Sequence, residues 1–377
     1  MHAFEELGLN SARVEDLRGR ILHAMEKGPL PALQVALAKD GRLALFETYG
    51  DASNSTRFQV YSCTKPVVAS AIWKLMGEGR IDIERPVCDY LPAFSGGGKE
   101  CVTTAQLLCH TAGFPNASMQ APHWWTSASR LAHMATWELE WPPGSQLVYH
   151  PLSAHWVVAE LITAISGVDY RDFIHREILD PLGLSTLRIG VPPQAGKDVA
   201  TVRHVGEPPG DDELASLFGK SVHWPDTRDD SMLVFNDPEV RALGIPGGGA
   251  VGTAADMALF YQAVMQNTDE LWSPAALQQA VGSVYEAMAD PMTGAPANRG
   301  LGVIIAGDDK FVPWRGMGDK VSPRAFGHQG VGGQVAWGDP ESGLSFCMLT
   351  NGLDVNPIRS ATLCAAASNR AGACASA

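Results

Sequence analysis

The chain has 377 residues, enough for two or three domains of about 150 residues each. Apolar residues make up 45% and charged residues 18%, which is typical of a folded protein and excludes a disordered one. The 28 Lys and Arg against 41 Asp and Glu give a net charge of −13, which disfavours binding to nucleic acid or to an anionic membrane surface.

The first predicted element is a β-hairpin. Residues 33–38 and 43–49 are largely apolar, and Asp40-Gly41 between them is a dipeptide that favours a tight turn. The sequence therefore predicts two antiparallel strands near the start of the chain.

A helix is predicted next. Apolar residues recur at helical spacing over 67–76, and Gly77 and Gly79 end the pattern. Pro66 is tolerated only in a first turn, because an interior proline loses a hydrogen bond and clashes with the preceding turn. The helix is therefore predicted to begin near residues 62–65.

The middle of the chain, 81–240, is predicted to be mainly helical with long loops. Residues 156–165 and 170–179 have helical patterns. Pro and Gly are frequent in 190–210 and 244–252, which are predicted to be loops.

The final third returns to strands. Residues 301–305 predict one strand, and 334–337 with 344–349 predict a hairpin. The Ala- and Ser-rich tail from Ala365 is expected to fray.

Together these elements predict an α+β fold, in which both chain ends build one antiparallel sheet flanked by helices. Residues 1–80 and 241–377 would form the α/β sheet domain, and 81–240 an inserted, mainly helical domain. Binding sites prefer the crevice between such domains, so we expect the functional site there.

The cysteines and the N-terminus indicate the compartment. The seven Cys include no C-x-x-C pair, which disfavours a disulfide framework or a structural zinc site. No segment has the ~20 apolar residues of a membrane-spanning helix, and the N-terminus carries no apolar signal region. We therefore expect a cytoplasmic protein without a membrane span.

The segment Ser62-Cys63-Thr64-Lys65 places a hydroxyl and an amine three residues apart where the predicted helix begins. Residues at this spacing share one helix face, so Lys65 can reach Ser62. A serine attacks only when a base takes its proton, and a lysine is such a base only when burial or a nearby cation keeps it neutral. The alternative interpretation is a surface lysine beside a helix-capping serine.

Other signatures of catalysis do not occur in the sequence. It has no G-x-S-x-G elbow, no P-loop and no H-E-x-x-H, and the 11 His are scattered. No metal and no organic cofactor is therefore expected.

The four residues from Ser62 to Lys65 resemble the S-x-T-K motif of the serine β-lactamase and penicillin-binding-protein superfamily, closest to class C β-lactamases and family VIII carboxylesterases. Further blocks follow in the order of that family: LLCHTAGFP (107–115), WPPGSQLVY (141–149), DPLGL (180–184), GGGAVGTAADM (247–257) and GHQGVGG (327–333).

This resemblance implies catalytic roles. Ser62 would be the acylated nucleophile, and Lys65 its general base or the partner of that base. Tyr149 would relay protons, with an ordinary buried aromatic as the alternative. The backbone N–H groups of Ser62 and Val331 would form the oxyanion hole. His328-Gln329-Gly330 would be the third motif of the family. His328 would be a catalytic residue of this motif, or would only orient its strand.

The substrate site is implied by the same resemblance. Gln329 and Gly330 of the third motif would contact substrate. Trp125 and Trp141 flank the second motif, Tyr149-His150-Pro151, and would line the acyl site unless they serve packing alone. His110 is interpreted as structural, and the remaining two histidines of this region are expected in a loop (His150) and on a helix surface (His155).

Two departures from the family pattern bear on the substrate. Pro151 stands where β-lactamases have Asn in Tyr-x-Asn, so the side-chain amide that holds an acylamino group is missing. His328 stands where they have the Lys of K-T-G, and histidine is mostly neutral at pH 7. Both changes favour neutral esters over anionic lactams and peptides.

The sequence thus predicts a serine esterase that acts on a small-molecule ester through an acyl-enzyme. The alternatives are a β-lactamase or D-amino-acid peptidase, an acyltransferase with the same acyl-enzyme, and a non-catalytic binder or sensor. The oligomeric state is left open.

Overall fold

The structure is a computed structural model that describes residues 2–210, 212, 230–291 and 294–375. In chain order its strands are β1 (Ala32–Lys39), β2 (Arg42–Gly50), β3 (Phe58–Gln59), β4 (Arg188–Ile189), β5 (Arg203–Val205), β6 (Ala250–Gly252), β7 (Ile304–Ile305), β8 (Phe326–Gly330), β9 (Gln334–Asp339), β10 (Leu344–Thr350) and β11 (Gly352–Asp354).

The α-helices are α1 (His2–Glu5), α2 (Ser11–Lys27), α3 (Thr64–Gly77), α4 (Thr104–Cys109), α5 (Ser127–Ala135), α6 (Ser153–Ser166), α7 (Tyr170–Ile174), α8 (Pro238–Leu243), α9 (Ala254–Gln266), α10 (Pro274–Val281) and α11 (Pro357–Ala373). In the described part of the chain, none of the helices is both long and apolar enough to cross a membrane.

The central sheet has six strands in the order β2-β1-β10-β9-β8-β7, and every neighbouring pair is antiparallel. β1 and β2 come from the start of the chain and the other four from its end, as the sequence predicts. A smaller sheet joins β3, β6 and β4, and β11 pairs with β5 in parallel.

Both faces of the central sheet are covered. On β1, Leu33, Val35 and Leu37 pack with α2 and α11, whereas Ala36 and Ala38 face the core that contains α3 and α9. Successive side chains of a strand point to opposite faces, so a strand buried on both sides is apolar throughout. This explains why β1 shows no alternation of polar and apolar residues.

The helices α4 to α7 and the strands β4 and β5 fall within 81–240, and α8 begins there and ends at Leu243. The observed fold is therefore mixed α+β with a helix-rich middle segment, as expected. The division into two domains at these boundaries stays a prediction.

Several sequence expectations were wrong in detail. The strand expected over 301–305 is formed only by β7, because Leu301 bonds instead to Ala280 O and to the indole of Trp73. The helix expected over 170–179 is α7 followed by a π-helix, His175–Leu179. Short strands, β5 and β6, lie within the two segments that were expected to be loops.

The C-terminal tail does not fray as expected within the described residues. It belongs to α11, which extends to Ala373 and buries Ala367 and Ala371 completely against the sheet. The Trp337 indole donates a 3.1 Å hydrogen bond to Ser368 Oγ. Small side chains let this helix pack closely, so its composition reflects packing against the sheet.

Candidate active site

Ser62 lies in a 3₁₀ turn, Tyr61–Cys63, that leads directly into α3. Tyr61 adopts a left-handed backbone conformation, with φ at +47°, that side chains other than glycine rarely adopt. Its hydroxyl donates to Met232 O and its ring packs edge-on against Phe235. These contacts hold the strained turn that presents Ser62, which is half-buried, at the start of the helix.

Lys65 lies in the first turn of α3 and is completely buried. Its Nζ is 3.1 Å from Ser62 Oγ, 2.8 Å from Pro151 O and 2.7 Å from Gly247 O. No carboxylate within the described ranges forms an ion pair with it. Burial lowers the pKa of this amine, Tyr149 opposes that shift in part, and the Arg299 cation lowers the pKa further.

These three contacts match the hydrogen-bonding capacity of a neutral amine. Its two N–H groups can donate to Pro151 O and Gly247 O, and its lone pair can then accept the proton of the Ser62 hydroxyl. This geometry permits transfer of the Ser62 proton to Lys65 Nζ, and the role of Lys65 as a general base stays a prediction.

Tyr149 reaches Ser62 from the loop before α6. Its hydroxyl donates a 2.8 Å hydrogen bond to Ser62 Oγ, and Lys65 Nζ lies 5.0 Å from the centre of its ring. The structure therefore brings three of the predicted catalytic groups together, although Tyr149 is far in sequence from Ser62 and Lys65.

His328 lies on β8, which the sequence analysis did not predict as a strand. The carbonyl of His328 accepts a 3.2 Å hydrogen bond from Cys63 Sγ, and a Cβ added at Gly330 would lie 2.8 Å from Val60 O. Glycine at position 330 thus lets this strand pass close to the turn that carries Ser62.

The His328 side chain is only 5% exposed, and its ring lies 6.2 Å from the ring of Tyr149. Burial lowers the pKa of His328 well below its ordinary value, and the charges of Lys65 and Arg299 act in the same direction. Its Nε2 has no hydrogen-bond partner within the described residues. The ring is therefore neutral at pH 7.

The contacts of the remaining predicted site residues do not test their predicted roles. Val331 follows β8 directly with its side chain 46% exposed, and Gln329 Nε2 lies 3.4 Å from Trp314 O. Trp125 is 46% exposed, and Trp141 is half-buried. Neither tryptophan makes a ring contact or a hydrogen bond with Ser62, Lys65 or Tyr149 in the described part of the chain, so the oxyanion-hole and substrate roles stay predictions.

Three histidines pack behind Tyr149. The His110 ring is 4.6 Å from the ring of Tyr149, and its Nδ1 accepts the backbone N–H of His150. The expectation that His155 lies on a helix surface was wrong, because it is fully buried. Burial lowers the pKa of all three, in His150 to about 4. They therefore form a neutral packing layer.

Arg299 is a residue that the sequence analysis missed. Its guanidinium carbon lies 5.6 Å from the centre of the Tyr149 ring, and the side chain is half-buried. Its buried Nε has no hydrogen-bond partner among the described residues. Arg299 precedes the predicted strand by two residues, and no local pattern indicated that it would point at Tyr149.

Metal binding finds no support in the described residues, where no three His, Cys, Asp or Glu side chains come together as a metal site would require.

The family model described as Beta-lactamase matches residues 17–367, nearly the whole chain. The chain belongs to this family. The resemblance inferred from the motifs is thereby confirmed.

Similar proteins in this family carry different names. The chain is 27% identical over 313 residues to "Esterase/beta-lactamase LipL" of Mycobacterium tuberculosis, covering 78% of this chain and 69% of LipL. It is 23% identical over 390 residues to "Putative D-alanyl-D-alanine carboxypeptidase" of Salmonella gallinarum, covering 92% and 84%.

Among solved structures, the fold is similar to that of a family VIII carboxylesterase. The TM-score is 0.77 at 22% identity, and the match covers 96% of this chain and 98% of the other. At this identity the likeness establishes a shared β-lactamase fold alone.

Proposed function

We propose that this protein is a serine hydrolase that cleaves carboxylic esters through an acyl-enzyme on Ser62. The observation that carries the proposal is the position of one hydroxyl between two proton-transfer groups. Ser62 Oγ lies 3.1 Å from the buried amine of Lys65 and 2.8 Å from the hydroxyl of Tyr149.

In the acylation step, Ser62 Oγ bonds to the ester carbonyl carbon while its proton passes to Lys65 Nζ. The carbonyl oxygen becomes an oxyanion, which the predicted hole at Ser62 and Val331 would stabilise. When the tetrahedral intermediate collapses, the ester C–O bond breaks. The leaving alcohol takes the Tyr149 proton, and Lys65 returns a proton to Tyr149.

In the deacylation step, a water molecule attacks the acyl carbon and its proton passes through Tyr149 to Lys65. Collapse of the second tetrahedral intermediate breaks the bond to Ser62 Oγ, which recovers a proton from Lys65. The products are a carboxylic acid and the free enzyme, so atoms and protons balance over the cycle.

The second and third motifs support esters as the substrate. Pro151 has no side-chain amide to hold an acylamino group, and its carbonyl is already bonded to Lys65. His328 is neutral and therefore offers no fixed positive charge to a substrate carboxylate. Both LipL and the family VIII carboxylesterase carry esterase in their names, which agrees with this proposal.

A lactamase or D-amino-acid peptidase is the second candidate, and Arg299 is the observation that favours it. This half-buried cation beside Tyr149 has no ion-pair partner among the described residues, and it could accept a substrate carboxylate. The carboxypeptidase named among the similar proteins agrees with this alternative.

A substrate panel tests the proposal. We expect kcat/KM for p-nitrophenyl butyrate to exceed that for a chromogenic cephalosporin and for a D-alanyl-D-alanine peptide by about tenfold or more, equivalent to about 1.4 kcal/mol of transition-state free energy. Each rate is measured against the Ser62→Ala variant as background. Faster turnover of the lactam or the peptide would establish the second candidate instead, and no turnover of any substrate would favour a non-catalytic binder.

The replacement Arg299→Met tests whether this cation helps to keep Lys65 neutral. Its charge lowers the pKa of Lys65, so its removal should raise that pKa. The acid limb of the kcat/KM profile for the ester is then expected to move to higher pH. The matched control is Arg324→Met, an exposed arginine, which should leave the limb in place. An unmoved limb in Arg299→Met would contradict this role.

A further inference from the structure

A cavity of about 170 Å³ lies between α2, α11 and the central sheet, away from Ser62. Its lining includes the apolar side chains of Leu30, Leu33, Met348 and Leu363. Ser62, Lys65 and Tyr149 do not line this cavity. The cavity is therefore a separate apolar space within the packing of α2 and α11 on the sheet.

One wall of this cavity belongs to the turn that follows the third motif. Gly332 and Gly333, which come directly after Val331, line it, and both have positive φ. Gly333 O accepts a 3.4 Å hydrogen bond from Cys364 Sγ of α11. The cavity thus lies on the far side of the turn that begins at the predicted oxyanion-hole residue.

The mouth of the cavity is cationic. Arg20, His23 and Lys27 follow one another along a single face of α2, and all three line the cavity. Within residues 2–210, 212, 230–291 and 294–375, no ion pair or side-chain hydrogen bond joins any of them to a partner. The carboxylate on the facing wall, Asp354, is already paired with Arg359.

Of the two cations on this face, Arg20 and Lys27, Arg20 is the less expected. Lys27 lies in the last turn of α2, where the helix dipole favours a positive charge, but Arg20 lies in the middle of the helix. Arg20 is half-buried, burial lowers its pKa, and the charge of Arg370 acts in the same direction. A half-buried guanidinium without an ion-pair partner among the described residues, at the edge of an apolar space, is suited to an anion from outside the chain.

We propose that this cavity is a second ligand site that binds the anion of a short- to medium-chain carboxylic acid. The alkyl chain would lie against Leu33 and Met348, and the carboxylate would pair with Arg20 and Lys27. An apolar cavity of about 150 Å³ accommodates benzene, so this one holds about six alkyl carbons, while the carboxylate of octanoate and the carbon next to it lie at the mouth. Such an acid is also the product class of the proposed reaction, but the binding itself does not depend on that reaction.

Calorimetric titration of octanoate into the Ser62→Ala variant tests the site, because this variant cannot turn over an ester. We expect one octanoate per chain, and an affinity that rises about three- to fourfold per methylene from butanoate to hexanoate. Acetate and 1-octanol, which lack the chain and the charge respectively, should bind more weakly than octanoate. The absence of octanoate binding would overturn the proposal, whereas ester hydrolysis is assayed separately without octanoate and can succeed or fail on its own.

Two variants locate the bound octanoate. Ala24→Leu adds bulk at a residue that lines the cavity and should remove binding, and Arg20→Gln should weaken it about two- to fivefold without altering the apolar space. Arg13→Gln, the same charge change at an exposed position of α2, is the matched control and should have no effect. If Ala24→Leu fails to fold, the affinity of Arg20→Gln for octanoate still tests the site. Binding that neither cavity variant changes would be nonspecific adsorption and would refute the site.

Discussion

Replacing Ser62 by alanine is expected to lower kcat/KM for p-nitrophenyl butyrate by about 10⁴-fold or more. The replacement removes the hydroxyl oxygen that contacts both Lys65 and Tyr149, and the methyl group left behind has no lone pair with which to attack the ester. The residual activity would come from substrate binding and from polarisation of the ester carbonyl by the rest of the site. Steady-state kinetics with this ester give the ratio directly.

Covalent labelling separates loss of the nucleophile from loss of the fold. A fluorophosphonate should add one adduct per chain to the unmodified protein, mapped to Ser62 by mass spectrometry, and none to Ser62→Ala. The matched control is Ser70→Ala in the same helix, whose hydroxyl bonds only to Val67 O in the described residues. This control should be labelled normally. Ester hydrolysis that survives Ser62→Ala would remove the basis of the proposed mechanism.

The sequence could predict that Ser62 and Lys65 lie together, because local helix geometry determines their relative position. Pro66 restricts where α3 can begin, and the spacing of Ser62 and Lys65 then places both groups on one face of its first turn. The approach of Tyr149 depends on the fold of distant segments, and it was inferred only through the resemblance to a family. Its 2.8 Å contact with Ser62 is therefore information that the structure adds.

The errors have a common physical cause in long-range burial. His155 was expected on a surface because helices usually keep one polar face, but every residue of α6 from Ser153 to Ile162 is buried. β8 was missed because Gly, His and Gln lack strand propensity, and it is held by pairing with β7 and β9. Arg299 was missed for the same reason, since tertiary packing alone brings it to Tyr149.

Replacing Lys65 by arginine is expected to lower the rate of acylation by about 10²- to 10⁴-fold. Arginine keeps hydrogen-bond donors for Pro151 O and Gly247 O, but it stays protonated and cannot accept the proton of Ser62. Stopped-flow measurement of the first turnover of p-nitrophenyl butyrate isolates acylation from deacylation. Lys74→Arg is the matched control, because it changes a lysine of the same helix that pairs with Glu78 and should leave the rate unchanged.

The pH dependence decides whether Lys65 acts as a base or only positions Ser62. Burial lowers the pKa of Lys65, so the neutral, active form predominates above that pKa and is lost as the pH falls through it. The unmodified enzyme should therefore lose kcat/KM toward acid, and the residual activity of Lys65→Arg should lack that limb. A positioning role would predict the same profile in both proteins. A rate for the unmodified enzyme that is flat from about pH 5 to about pH 9 would exclude Lys65 as the base.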